Sequence, residues 1–348
     1  MITTVGDIEI IYPDLGFAFN PIRIFVNNYT VEDSLILESN GIKIEKEPYQ
    51  ETLTVTFELS AIAKSLFDRL HFYKIEENDT TLYKVLSFVI KNSSGIIYEG
   101  SIPVIWGALQ IGETYTQNKT LTYFKGFPFT VPLYTEQAIV LKANGVEYKT
   151  LSPGKHNIDI SDISSSGNIH IEGYDEVYRK TFDYTFDYTF GQQRILLGKD
   201  LSIDINVVDC PSDGVYLRWI NKYGEYNYYL FQSSNQSITT KNNSIAYDSI
   251  FYRVSLTDKY HFGTGKSIGK YAEETIKLYA PLVDSITFDL LLGLIESPVI
   301  DMFLGYDTEN KQNWISISVA EGTFVKGTSE LQDFELYMIP NKRQLQTL

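Results

Sequence analysis

Residues 216–231, YLRWINKYGEYNYYLF, place seven aromatic side chains in sixteen positions and predict a β-hairpin. Before the turn, alternate side chains fall on opposite faces, as they do in a strand. The turn is Asn221–Gly224, where glycine supplies the positive φ that a tight turn needs. After it, Glu225–Phe231 returns along the first strand. Since the rings follow the strand period, we expect them to pack within the protein or against a neighbour. A loop platform that stacks on sugars or bases is disfavoured.

The two faces of this hairpin have different predicted roles. Leu217 and Trp219 are expected to face the domain core. Arg218 lies among tyrosines and is expected to stack on one of them. The opposite face is a candidate contact with a neighbouring subunit, through Tyr216, Arg218, Tyr228 and Tyr229.

A second aromatic stretch, TFDYTFDYTF at residues 181–190, alternates strictly between rings and Thr or Asp. At about 3.3 Å per residue, the alternation predicts one strand of about 33 Å. Three roles stay open for it: a strand with one buried aromatic face, an arm that pairs with a neighbouring subunit, or a strip that binds a ligand. The candidate interface residues are Phe182, Tyr184, Phe186 and Tyr188.

Period-2 patterns dominate the rest of the chain, so the sequence predicts a mainly β fold of tandem β-sandwich-like domains. The predicted domains are an N-terminal sandwich at 1–105, a second small β-domain at 106–200 and a C-terminal β-rich domain at 201–348. This last domain contains the hairpin at 214–231. Asn40-Gly41 and Asn144-Gly145 are strong hairpin signals.

Two short helices are predicted among the strands. Ala61–His71 has an apolar stripe and Ser60 as a candidate N-cap, and Ile286–Glu296 begins after Asp284 or Ser285. Gly322–Val325 is predicted as a short strand. The tail Pro340–Leu348 is predicted to become ordered by packing on a partner.

Composition limits the function classes. The 348 residues are 43% hydrophobic, enough for real cores, and 26 Tyr with 20 Phe favour strands. The net charge of −15 repels phosphate, so a sequence-specific reader of nucleic acid is disfavoured. The first residues do not resemble a signal peptide. The apolar window Ile286–Leu294 is too short to cross a bilayer. We therefore expect synthesis in a cytoplasm and no membrane span.

Catalytic and metal-binding motifs are not found in the sequence. Cys210 is the single cysteine, and the four histidines lack paired ligand spacing. Gly265-Lys-Ser267 ends like a phosphate-binding loop, but Tyr260 stands where that motif requires glycine. No nucleophile motif or carboxylate pair stands out. The sequence thus predicts a non-enzymatic protein without a cofactor or a metal.

Seven segments carry a resemblance that spans nearly the whole chain. They are IEIIYPDLGFAFNPIRIFV (8–26), IPVIWGALQIGE (102–113), LTYFKGFPFTVPLY (121–134), CPSDGVYLRWINKYGEYNYYLF (210–231), IKLYAPLVDSITFDLLLGLIESPVIDMF (276–303), WISISVAEGTF (314–324) and LQDFELYMIP (331–340). The chain resembles virion proteins of bacteriophages and prophages of Bacteroides-type gut bacteria, including crAss-like phages. The hairpin sequence LRWIN with its following YLF is the most specific element.

The resemblance implies a structural role in the virion. It implies a homo-oligomeric ring or hub in the neck or tail that contacts other neck and tail proteins, and it implies no catalytic residue. An acidic wall suits a ring through which DNA passes, because it repels phosphate. The alternative is a carbohydrate-binding or host-adhesion module of the tail, since β-sandwiches rich in Tyr and Trp permit one. A glycan depolymerase is the weakest candidate, because the repeats of a β-helix are missing.

Overall fold

The computed structural model describes residues 1–30, 33–49, 53–67, 75–110, 113, 115–163, 167–182, 190–209, 214–246, 252–253, 260–261, 266–320, 322, 324–340 and 342–347. Strands account for 59% of the structure and helices for 7%, so the predicted mainly β, sandwich-like fold is confirmed. The helices of the described part are α1 (Ser60–Ser65) and α2 (Ser285–Glu296). The strands are β1 (Ile2–Val5), β2 (Ile8–Ile11), β3 (Gly16–Phe17), β4 (Arg23–Asn27), β5 (Leu35–Ser39), β6 (Ile42–Lys46), β7 (Val55–Glu58), β8 (Tyr83–Asn92), β9 (Gly95–Ile105), β10 (Lys119–Phe124), β11 (Thr130–Thr135), β12 (Ile139–Ala143), β13 (Val146–Leu151), β14 (Gly154–Asp159), β15 (Ile169–Phe182), β16 (Phe190–Val208), β17 (Val215–Ile220), β18 (Tyr226–Ala246), β19 (Tyr252–Arg253), β20 (Tyr260–His261), β21 (Lys266–Asp284), β22 (Ile300–Tyr306), β23 (Gln312–Ser316), β24 (Ser318–Val319), β25 (Leu331–Ile339) and β26 (Lys342–Thr347).

The chain divides into two compact units. The first comprises Met1–Cys210 with Ile220–Tyr228, and the second comprises Pro211–Trp219 with Tyr229–Leu348. The first unit thus contains the turn of the hairpin, whereas most of the first hairpin strand belongs to the second unit. The three-domain division stays a prediction.

A β-sandwich forms the start of the first unit. One sheet has the order β1-β2-β4-β7, and the other has the order β3-β9-β8-β5-β6. Ile24 and Val26 point inward from the first sheet, and Leu35 and Leu37 point inward from the second. All four belong to one core cluster, so the two sheets share a single apolar interior. The predicted Asn40-Gly41 hairpin joins β5 to β6, and both turn residues have positive φ.

The rest of the first unit is a five-stranded sheet of order β10-β16-β15-β12-β13 and a two-stranded sheet of β11 and β14. Asn144 and Gly145 have positive φ and connect β12 to β13, as their sequence predicts. Both β11 and β14 are almost entirely buried. These two strands therefore lie in the interior of the first unit, next to the charged residues that are described below.

The second unit contains one large sheet covered by a helix and a separate two-stranded sheet of β19 and β20. The large sheet has the order β23-β22-β17-β18-β21-β25-β24, and β26 also pairs with β21. Phe288, Leu291 and Leu294 of α2 join the core cluster of this unit, which includes Trp219 and Phe334. Asp284 is the N-cap of α2, and its side chain accepts a hydrogen bond of 2.7 Å from the Thr287 amide. The predicted second helix and its candidate cap are confirmed.

Four local predictions need correction. The first helix runs over Ser60–Ser65 and not to His71, and residues 68–71 lie outside the described part of the chain. Ser60 is not its N-cap, because the Ser60 hydroxyl donates to the carbonyl of Asn20 and Leu59 occupies the cap position. The described residues of 322–325 form no strand. The predicted tail contains β26, which pairs with β21 of the same chain.

Candidate functional site

The first hairpin strand, β17, is buried on both of its faces. Leu217 and Trp219 are fully buried in the core of the second unit, which confirms their predicted orientation. Tyr216 and Arg218, on the opposite face, are only 1% and 3% exposed. Since β17 lies inside the sheet, between β22 and β18, neither its edges nor its faces are open.

Arg218 makes a buried ion pair. Its Nε donates to Oδ2 of Asp301 at 3.0 Å, and the two residues face each other across β17 and β22. Ser316 donates to the other carboxylate oxygen of Asp301 at 2.8 Å. The Arg218 guanidinium lies 4.1 Å from the centre of the Trp314 ring, a stacking partner that the sequence did not predict. Breaking such a buried pair costs about 3–5 kcal/mol.

The other two hairpin candidates also make contacts within the chain. Tyr228 is 5% exposed, and its hydroxyl lies 2.7 Å from Oγ1 of Thr130 in the first unit. Tyr229 is partly buried, and its ring packs on Phe231 with centres 4.9 Å apart. Tyr216, Arg218 and Tyr228 are thus interior residues. A contact with a neighbouring subunit through these three side chains would require this packing to open.

The aromatic repeat at 181–190 does not form one strand. Phe182 ends β15, Phe190 begins β16, and the two residues are paired across antiparallel strands. Residues at the two ends of a single extended strand of this length would lie about 30 Å apart, so the prediction is wrong. Alternation indicates a pleat but does not show where a chain reverses. The candidates Tyr184, Phe186 and Tyr188 lie outside the described residues.

The strands β15 and β16 run beyond the sheet to which they belong. β12 pairs with β15 only as far as Asp175, and β10 pairs with β16 only from Ile203 onward. Among the described strands, Glu176–Phe182 and Phe190–Leu196 therefore pair only with each other. These seven residue pairs form a two-stranded extension, about 23 Å long at 3.3 Å per residue. We call it the β15–β16 ribbon.

A buried charge cluster surrounds the turn of the hairpin within the first unit. Glu225 accepts from Nζ of Lys119 at 2.8 Å and from the hydroxyl of Tyr115 at 3.0 Å. Lys155 is fully buried, and its Nζ lies 3.3 Å from the carbonyl oxygen of Tyr223. We call Glu225, Lys119, Tyr115 and Lys155 the Glu225 cluster. It fixes the turn to β10 and β14, the strands that carry the two lysines.

Electrostatics within the Glu225 cluster follow from burial and pairing. Burial alone would raise the pKa of the Glu225 carboxyl, but the ammonium groups of Lys119 and Lys155 outweigh it and hold this pKa below its usual value. Burial lowers the pKa of Lys155 to about 8, although the Glu225 and Asp79 carboxylates oppose that change. The pKa of Tyr115 is raised well above its usual value, first by burial and then by the charge of Glu225.

This cluster has the chemistry of a structural site. Lys155 is 0% exposed and Glu225 is 3% exposed, so a substrate has no direct access to either group. No local sequence signal indicates the cluster, because Glu225 lies 106 positions from Lys119 along the chain. A lysine inside the otherwise buried strand β14 is recognised as unusual only when the burial of that strand is known.

The described residues give little support for a site that binds a metal ion or a sugar. Within the described ranges, no group of three or more His, Cys, Asp or Glu could hold a metal ion. A depression of about 280 Å³ in the first unit is lined by Glu38–Gly41, Lys43 and Ser87–Val89. Its one aromatic residue, Phe88, is buried, and so is Trp219 of the hairpin. Neither ring is therefore exposed for stacking on a sugar.

No protein-family model matches the chain, and no curated protein matches it. The resemblance to virion proteins therefore stays an expectation. The function of the chain is proposed below from its geometry. In the part of the chain that the structure describes, no helix combines the length and the apolar character needed to cross a bilayer.

Proposed function

We propose that the chain is a non-enzymatic structural component of a bacteriophage virion. It would build an oligomeric ring or hub in the neck or tail and contact neighbouring tail proteins. The β15–β16 ribbon is the observation that carries this proposal. A ribbon of two strands is marginally stable by itself in water, and its open edges favour pairing with another chain.

The ribbon is large for an element without a described third strand. Among the described strands, none pairs with the outer edges of the seven residue pairs beyond Asp175. In a monomer the backbone groups on these edges would thus have no described strand to pair with. In a ring, the edges of one copy pair with those of the next or pack on an adjoining virion protein, which orders the ribbon.

The charge of the chain is compatible with this role. A net charge of −15 on each copy would make a ring of copies strongly acidic, and the proposal requires part of that charge to line the channel. Such a wall repels DNA phosphates and allows a genome to pass without adhering to it. The buried Glu225 cluster, closed to substrates, is consistent with a role in stability and not in turnover.

Mass spectrometry of purified virions tests the proposal most directly. The expected result is stoichiometric detection of this chain together with portal and tail proteins after the particles have been purified through a density gradient. Light scattering on the purified chain measures its oligomeric state. A subunit that assembles only on its portal is monomeric when alone, so the virion measurement decides. A chain that is absent from intact particles and monomeric at high concentration would overturn the proposal.

A further inference from the structure

Two Asn-Gly turns of the first unit have nearly identical backbones. The first turn, Asn40-Gly41, has φ values of 49° and 76°. The second turn, Asn144-Gly145, has φ values of 50° and 82°. Strand pairing resumes directly on both sides of each turn, all four residues are exposed, and a Cβ at either glycine would meet nothing within 4 Å. The two turns therefore differ little in shape or in access to water.

The two asparagine side chains differ in what holds them. Oδ1 of Asn144 accepts a hydrogen bond of 2.9 Å from the amide of His170, at the start of β15. The Asn144 amide donates to the carbonyl of His170 at 2.8 Å, so side chain and backbone are both tied to the neighbouring strand. Within the described ranges, the Asn40 side chain makes no hydrogen bond. The carboxamide of Asn40 is therefore able to rotate, whereas that of Asn144 is held toward β15.

An asparagine side chain that rotates freely before a glycine is chemically reactive. The glycine backbone nitrogen attacks Cγ of the asparagine, the Cγ–Nδ2 bond breaks, and ammonia leaves with the proton that the glycine nitrogen gives up. Glycine favours this attack because it carries no Cβ beside the nitrogen. Water then opens the cyclic imide at either of its carbonyls, which leaves aspartate or isoaspartate in the chain. Water is the only co-reactant, and nothing is oxidised or reduced.

We infer that Asn40-Gly41 is a site of spontaneous deamidation in the folded chain, and that the His170 amide protects Asn144-Gly145 from the same reaction. Attack by the Gly145 nitrogen requires Cγ of Asn144 to turn toward it, which breaks the hydrogen bond to His170. Attack by the Gly41 nitrogen breaks no such bond. The reaction needs no partner, so it is independent of the proposed role in a virion.

The modification would act on one edge of the N-terminal sandwich. Isoaspartate adds one carbon to the backbone of the turn that joins β5 to β6, and β6 is the outer strand of its sheet. Four of the five residues of β6 are exposed, so the sandwich core holds this strand only weakly. Either product also adds a carboxylate two positions from Glu38, which already pairs with Lys43 and Lys91. We therefore expect the reaction to loosen β6 and to leave the core folded.

Peptide mass spectrometry measures the reaction. The purified full chain is incubated at mildly alkaline pH in water enriched in heavy oxygen and then digested. Exchange of the amide for a labelled acid should proceed faster at Asn40 than at Asn144 by at least about fivefold, the factor that one hydrogen bond contributes. Digestion with a protease that cuts before aspartate but not before isoaspartate then separates the two products.

Two further positions serve as controls. Asn310 is exposed and has a φ of 60°, but Lys311 follows it, so it should also react more slowly than Asn40 by about fivefold or more. Asn40→Gln places the amide one carbon further from the backbone, which disfavours closure of the ring. This variant should lose the mass change at position 40 and keep the rate at Asn144.

Unfolding the chain in urea removes the hydrogen bond to His170 and should bring the rates at Asn40 and Asn144 together. If the two rates are equal in the folded chain, or if neither asparagine reacts, the inference is overturned. Faster reaction at Asn144 would mean that the His170 amide activates the carboxamide, and this result also overturns it. A difference of the same size in urea would assign the rates to the flanking sequence and not to the fold, with the same consequence.

Hydrogen exchange on the aged chain tests the structural effect. Faster exchange should be confined to β6 and the end of β5, while β4 and β8 keep their protection. Asn40→Asp carries the new carboxylate without the added carbon and should exchange like the unmodified chain. Loss of protection throughout the sandwich in the aged chain would contradict a local effect.

Discussion

At the scale of single residues, Lys155 is the clearest case of a group whose charge the interior opposes. It is fully buried on β14, and its Nζ lies against a neutral carbonyl while Glu225 and Asp79 act on it through space. Burial outweighs these carboxylates, so the folded chain releases the Lys155 proton near pH 8. An exposed lysine releases its proton at about pH 10.4.

This difference predicts a pH dependence of stability with a definite sign. Between about pH 8 and pH 10.4, the unfolded chain holds a proton that the folded chain has lost, so the free energy of unfolding rises with pH. From pH 7.5 to 9.5 the Lys155 contribution rises by about 2 kcal/mol. Urea unfolding at the two pH values measures it. The tyrosines of the chain affect all variants alike.

Two variants isolate the lysine in that measurement. Lys155→Met removes the titrating group but keeps most of its buried volume, and it should lose the rise of about 2 kcal/mol. Lys125→Met is the control, because the Lys125 side chain is 64% exposed, and it should keep the rise. If the unmodified chain and Lys155→Met show the same change between pH 7.5 and 9.5, Lys155 does not titrate in this range.

At the scale of elements, the turn of the hairpin is held by backbone contacts within the first unit. The amide of Ala108 donates to the carbonyl of Lys222 at 2.7 Å. A Cβ at Gly224 would lie 2.4 Å from the carbonyl oxygen of Trp106, and Gly224 has a φ of +62°. The same position thus requires glycine for its conformation and for its close contact.

Gly6 supplies a matched control for that turn. It has the same φ of +62°, but a Cβ there would meet nothing within 4 Å. Gly6→Ala should therefore cost only the left-handed conformation, about 1 kcal/mol, whereas Gly224→Ala adds a steric clash and should cost about 3 kcal/mol in total. Urea unfolding of the two variants measures the difference. Equal losses of the free energy of unfolding would show that the Trp106 carbonyl moves away from the added Cβ at little energetic cost.

Local signals predicted much of the fold. Asn40-Gly41 and Asn144-Gly145 form the hairpins that their chemistry favours, and Asp284 caps α2. Alternation along β17 gave the two faces correctly but could not show that both are covered, since what packs on a face comes from distant parts of the chain. For the same reason the Glu225 cluster, assembled from several elements, was not predicted.

At the scale of the whole molecule, charge and assembly oppose each other. Each copy carries a net charge of −15, so copies brought together repel one another over the range of the Debye length. In the ring that we propose, attraction comes from backbone hydrogen bonds along strand edges, which are short-ranged and almost independent of salt. Repulsion is long-ranged and is screened by salt.

The balance predicts that salt strengthens assembly. The Debye length falls from about 30 Å at 0.01 M salt to about 8 Å at 0.15 M, so repulsion between copies weakens while edge pairing persists. Light scattering on concentrated protein should show the oligomeric fraction increasing from the lower to the higher NaCl concentration. Sucrose of equal osmolarity is the control, because it leaves the charges unscreened and should produce no comparable increase. An oligomeric fraction that falls with added NaCl would mean that attractive ion pairs, and not backbone hydrogen bonds along strand edges, hold the copies together.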